Sequence, residues 1–231
     1  MKKVGFIGAY DKTDMIMNVA KILTTLGKKV IVIDSTVNQK AKYIVPVINP
    51  TTSYVTDFED IDVAVGFNTI EEIKKYMGIA EQELPYDIAL VDADTEERIE
   101  IFDLYSAEKN YFVTSFDLFS LKKGLEVLRE LKNPVNLTKI LYSKDMIKEE
   151  DDYLNYLALG YKIIWNEYKI YFPIENGDLS VLSENQRVAK IKFKKLSVQY
   201  KDSLECIVED ILKDVSSSQI RKAIKIIERG V

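Results

Sequence analysis

Val4-Gly5-Phe6-Ile7-Gly8-Ala9-Tyr10-Asp11-Lys12-Thr13-Asp14 runs from a short apolar strand through a tight loop into Lys-Thr at the mouth of a helix. Backbone N–H groups and a helix N-terminus placed this way form a cradle for phosphate. The usual spacing, G-x-x-x-x-G-K-[ST], puts glycine directly before the lysine and again five positions earlier. Here those places hold Asp11 and Phe6, so both anchor glycines are missing, while Gly8 survives inside the loop. Lys12 and Thr13 stand where a phosphate lysine and a magnesium-binding hydroxyl would stand.

Working outward, Met15, Val19, Ile22, Leu23 and Leu26 recur at helical spacing, and Gly27 supplies a stop. Lys29-Val-Ile-Val-Ile-Asp34 then reads as a second buried strand ending in an acid. Strand, helix and strand in so short a span make a βαβ unit and require a parallel sheet. Asp87-Ile-Ala-Leu-Val-Asp92 is the clearest later strand, again with an acid at its carboxyl end. Tyr111–Ser115 and Leu137–Tyr142 add two more, separated by a helix carrying Leu118, Leu121, Leu125, Leu128 and Leu131. Asp62–Gly66 reads as a short strand, with Thr69 capping the helix after it. Ile44-Val45 and Val47-Ile48 are β-prone segments demoted by Pro46 and Pro50. Helices are predicted over 147–157, 196–212 and 216–229; Ile163-Ile164 and Ile170–Phe172 read as a hairpin or as two strands. The whole predicts one three-layer α/β domain over residues 1–231, with helices on both faces of a mostly parallel sheet.

Composition narrows the chemistry. The 231 residues include no histidine and a single cysteine, Cys206, which excludes His-based acid–base catalysis, a zinc site and an intrachain disulfide. A net charge of −5 argues against non-specific nucleic-acid binding. No apolar run reaches the roughly 18 residues of a membrane span, and the expected location is the cytoplasm. Met15 and Met17 read as core filler. In Ser216–Val231, Ile220, Ile224, Ile227 and Val231 form one stripe, with Arg221, Lys222, Lys225 and Arg229 opposite. Such a helix either lies on the inner membrane face as a peripheral contact or docks on its own domain or on a partner. The stripe lacks Phe, Trp and Leu, which favours docking.

These segments together resemble the ParA/MinD family of deviant-Walker-A ATPases, over roughly residues 3 to 212. The family's K-G-G-x-G-K-T-T corresponds to Ile7–Asp14, its I-D-x-D to Ile33-Asp34-Ser35-Thr36, and its Y-D-x-x-x-x-D to Tyr86–Asp92. Tyr171-Phe172-Pro173-Ile174 is similar to the family's turn near the nucleotide base. The resemblance implies that Gly8, Ala9, Tyr10, Asp11, Lys12, Thr13 and Asp92 would hold a nucleotide. It also implies Thr13 and Asp34 on magnesium, with Asp34 as the catalytic acid if the protein is an active ATPase.

The departures point the other way. Ile7 replaces the lysine that reaches across a family dimer, Asp11 replaces the glycine, and Thr36 replaces the second acid. A carboxylate about 4 Å from a phosphate costs about 4 kcal/mol near a protein surface, against about 8 kcal/mol for micromolar binding. A magnesium ion or a salt bridge from Asp11 to Lys12 would relieve that cost. The lost residues resemble the degenerate TadZ/CpaE-like branch. That branch implies a homodimeric, non-catalytic or weakly catalytic scaffold for a pilus, secretion or conjugation apparatus, with no cofactor or with Mg-ATP. The alternative is an active Mg-ATPase in partitioning or positioning. A dinucleotide-binding Rossmann enzyme is disfavoured, because Gly5-x-x-Gly8 has the wrong spacing and Lys12-Thr13 would be unexplained.

Overall fold

The structure, a computed structural model, describes residues 1–46, 53–142, 148–173 and 175–230. The expectations at Val47-Ile48, Pro50, Ile147, Ile174 and Val231 lie outside the described residues. In chain order the elements are β1 (Lys2–Ile7), α1 (Thr13–Thr25), β2 (Val30–Asp34), α2 (Ala41–Ile44), β3 (Tyr54–Phe58) and β4 (Ile61–Val65). Then come α3 (Ile70–Tyr76), β5 (Ile88–Ala93), α4 (Glu96–Ile101), β6 (Lys109–Ser115), α5 (Leu118–Arg129) and β7 (Val135–Tyr142). The chain finishes with α6 (Lys148–Leu157), β8 (Ile163–Phe172), α7 (Asn176–Arg187), α8 (Val198–Ile211) and α9 (Ser217–Arg229).

Eight strands form one sheet in the order β3-β4-β2-β5-β1-β6-β7-β8, parallel throughout except for the β3–β4 pair. The central strands are apolar at successive positions because both faces are covered. Val4, Phe6, Val32 and Leu90 face α1, α8 and α9, whereas Ile7, Ile33, Val91 and Phe112 face α3, α4, α5 and α6. The first crossover leaves β1 for β2, and the chain later returns to place β5 and β6 on either side of β1. Crevices for ligands open at the carboxyl ends of strands around such a reversal.

Several local expectations are corrected. Ile44 is the last residue of α2 rather than part of a β segment. Asp34 Oδ2 accepts from Ala41 N at 2.9 Å, and that bond holds the start of α2 in a helical turn. Ile163–Phe172 is one strand, with a bulge between the Leu137–Trp165 and Lys139–Lys169 pairs, and not a hairpin. β3 and β4 form a hairpin through Glu59 and Asp60, both with positive φ. Lys21 and Lys190 secure that turn by ion pairs to Glu59 and Asp60.

The C-terminal stripe is spent inside the molecule. Ile220, Ile224 and Ile227 are buried against α1 and α8. Arg221 Nε donates to both carboxylate oxygens of Glu205 on α8, at 2.8 and 2.9 Å. The membrane reading of this helix is therefore corrected to the docked one: its apolar face is already covered, and its basic residues Arg221, Lys222, Lys225 and Arg229 remain outward. No helix among the described residues is long and apolar enough to cross a membrane.

Candidate functional site

β1 ends at Ile7 and the chain turns sharply at Gly8, which adopts a φ of +138°. A Cβ on Gly8 would lie 2.3 Å from the carbonyl oxygen of Val113 in β6, so glycine is required by both conformation and space. The loop continues through Ala9, Tyr10 and Asp11 to Lys12, which caps α1 without a side-chain bond to the helix. This loop, the β2–α2 connection and the end of β5 enclose a cavity of about 320 Å³. Thr13, Asn38 and Tyr43 contribute to its walls.

Lys12 does not point freely into this space. Its side chain is 2 % exposed; Nζ donates to the Gly8 carbonyl at 2.7 Å and lies 2.7 Å from Asp92 Oδ1. That oxygen has the charge of Lys12 beside it but no aligned hydrogen-bond donor. Asp92 is fully buried at the end of β5, and burial pushes its carboxyl up to about 7. The Lys12 ammonium opposes that rise, and Asp34 adds to it.

Asp11 is neutralised from elsewhere. Its Oδ1 accepts from the Thr13 backbone N–H at 3.2 Å, one of the first-turn donors that a helix leaves unpaired. Its Oδ2 is paired with Lys40, which also reaches Asp14 at 3.3 Å. Gln186 from α7 donates to both oxygens of Asp14, at 2.9 and 2.8 Å. Burial disfavours the Lys40 charge, but Asp14 and Asp11 outweigh it and hold the ammonium above its ordinary value. Of the two ways to relieve the Asp11 charge, a salt bridge to Lys12 is not the one formed: the pairs are Asp11–Lys40 and Asp92–Lys12.

Asp34 is buried, and its carboxylate serves its own loop. Oδ1 accepts from the Thr36 N–H at 3.1 Å and the Thr36 hydroxyl at 2.6 Å, while Oδ2 holds Ala41 N. Gly8, Ala9, Tyr10, Asp11, Lys12, Thr13 and Asp92 all line the cavity; Asp34 does not. The Tyr10 ring leans on Tyr142 at 4.5 Å between centroids. Two charged residues of the cavity were not foreseen. Asp94, two positions past Asp92, could have been found as a second acid at the same strand end. Its carboxylate accepts from Val37 N at 3.1 Å. Lys40 carried no signal, since it sits in an irregular loop 29 residues from Asp11.

With this geometry in view, comparison with solved structures is decisive for the architecture. A chain of the MinC:MinD cell division protein complex of Aquifex aeolicus superposes with a TM-score of 0.60 at 14% identity, covering 94% of this chain and 97% of its own. The chain has the ParA/MinD fold. A ParA family ATPase from Chlorobium tepidum matches at a TM-score of 0.53 and 15% identity, over 96% and 95% of the two chains. A plasmid partition protein from Borrelia burgdorferi, solved with AMPPNP, matches at 0.53 and 12% identity, over 93% and 100%. No protein-family model matches the sequence, and no curated protein matches it either. At these identities the ParA/MinD likeness is one of fold.

Proposed function

We propose that this chain is a ParA/MinD-fold protein with an internally neutralised phosphate cradle, acting as a non-catalytic or weakly catalytic dimerising scaffold within a larger assembly. A pilus, secretion or conjugation apparatus is the class of assembly that the degenerate branch of the fold suggests. The observation that carries this reading is Asp11. Its carboxylate takes the Thr13 N–H and the Lys40 ammonium, two groups that a bound polyphosphate would otherwise use. An anion of the protein's own thus occupies the positive end of α1, where helix N-termini favour negative charge.

As arranged, these residues do not fit Mg-polyphosphate. Lys12 is held by Asp92 and Gly8, Lys40 is taken by Asp11, Asp34 is spent on its own loop, and Asp94 adds negative charge to the cavity wall. The second reading, an active Mg-ATPase, is favoured by two features: Thr13 stands on the cavity wall, and Asp92 Oδ1 has no aligned donor. In that reading Lys12 and Thr13 would hold phosphate and metal, and Asp34 would act behind them.

Isothermal titration with Mg-ATP, together with a phosphate-release assay, separates the two. The scaffold reading expects weak binding and negligible turnover in the native protein. Asp11→Gly is expected to tighten Mg-ATP binding at least about tenfold, a gain of about 1.4 kcal/mol. Native turnover that disappears in Lys12→Ala would replace the scaffold reading with the ATPase.

A further inference from the structure

Far from the cavity, β8 closes the sheet, and no strand among the described residues pairs with its outer side. The strand is ten residues long, with Ile164 and Tyr168 exposed. Helix α8 runs beside it, tied near the strand's carboxyl end by the Ser203 hydroxyl, which donates to the Tyr171 carbonyl at 2.8 Å and leaves the strand edge before Tyr171 open. Between strand and helix lies an open groove of about 550 Å³. Tyr168 and Lys169 line one side of it; Asp202, Cys206 and Glu209 line the other. The three helix residues are spaced i, i+4 and i+7, so they share one face.

An unpaired strand edge is a template for another strand, which proteins ordinarily blunt with bulges or charge. The bulge of β8 falls between Trp165 and Lys169, and the ladder with β7 is regular again from Lys169 to Phe172. The regular stretch is the one that flanks the groove. A peptide laid along an edge, with a helix forming the far wall, is a recurring recognition geometry.

Charge selects the occupant. Asp210 is answered within the molecule by Lys109 at 2.6 Å and by the Tyr111 hydroxyl at 2.7 Å. Lys169 is held by Asp151. Asp202 and Glu209 line the groove and make no direct ion pair among the described residues; the nearby Arg221 cation is bound to Glu205 and reaches these two only through space. They stand about 10 Å apart along the helix. Side chains on one side of an extended strand repeat about every 7 Å, so basic residues two to four positions apart would match them. Burial pushes the Cys206 thiol up, and Glu209, Glu205 and Asp202 push it further, consistent with a negative potential at this wall.

We propose that this groove is a docking site for an extended basic segment of a partner protein, added as a strand on β8 with its cations toward Asp202 and Glu209. A fluorescein-labelled hexapeptide of alternating lysine and valine serves as the probe, with an alternating glutamate–valine peptide and a backbone N-methylated lysine–valine peptide as controls. Fluorescence polarisation on the full chain should show binding of the lysine–valine peptide alone, weakened about tenfold or more by Asp202→Lys/Glu209→Lys. Amide hydrogen exchange at residues 168–171 should slow when that peptide is bound. Equal binding by the charge-reversed protein or by the N-methylated peptide would overturn the proposal, as would unchanged exchange at β8. Protection of the same amides that grows with protein concentration alone would also overturn it, in favour of a second copy of the chain.

Discussion

Lys12 and Asp92 form an ion pair almost wholly withdrawn from water, and such pairs owe their existence to geometry more than to net energy. Burial dominates here: it lifts the Asp92 carboxyl from its ordinary 3.8 to about 7 despite the adjacent ammonium. Between those values the native state holds a proton that the unfolded chain has released. Stability from this group is therefore fully present below about 4 and is lost as pH rises through about 7. Asp92→Asn removes that dependence. In urea unfolding measured at several pH values, the variant should gain on the native protein as pH rises from about 5 to about 8, and parallel curves would refute the assignment. Gly8 permits a second residue-scale prediction. Gly8→Ala places a methyl 2.3 Å from the Val113 carbonyl at a φ that L-residues resist. Denaturation should show a loss of several kcal/mol, among the larger costs for a single substitution.

At the scale of elements, α9 is the clearest case of a pattern with two meanings. A basic amphipathic stripe reads the same whether it covers a membrane or a core, and burial of Ile220, Ile224 and Ile227 decides for the core. Ile220→Ala should cost about 2–5 kcal/mol in denaturant unfolding. Exposed Lys225→Ala should stay within about 0.5 kcal/mol. Comparable costs for the two would mean that the stripe is not packed. The same contrast explains what was legible in the sequence. Strands β1, β2 and β5 were readable because burial on both faces makes them nearly continuously apolar, α1 because of its helical spacing, and β6 and β7 because of the short apolar runs Tyr111–Val113 and Ile140–Tyr142. The β3–β4 turn was not, because Glu59-Asp60 lacks the glycine or asparagine that marks such turns and is held instead by distant lysines. Helix α7 was missed because its sequence is largely polar, yet it supplies Gln186 to the site. The loop positions of the site were visible as a damaged motif. Its electrostatic balance was not, since the Lys40 partner depends on a fold-level approach.

For the whole molecule, the carboxyl edge of the sheet carries both the cavity and an apolar rim. Val37 and Tyr43 follow β2 and are 73% and 79% exposed; Leu118 and Phe119 follow β6 and are 66% and 71% exposed. Apolar side chains exposed at this edge would leave water if a partner covered them. In the scaffold reading that cover is a second copy, and a two-fold contact lets one patch serve both subunits. Sedimentation velocity should then find a dimer that Leu118→Asp/Phe119→Asp converts to monomer. Because both residues are exposed, thermal stability of the separated subunit should change little. The dimer should also survive without Mg-ATP, because the Asp11–Lys40 and Asp92–Lys12 pairs already neutralise the charges that nucleotide would otherwise bridge. A native protein that dimerises only on adding Mg-ATP would instead mean that nucleotide displaces those internal pairs, and the cavity would then be a working switch.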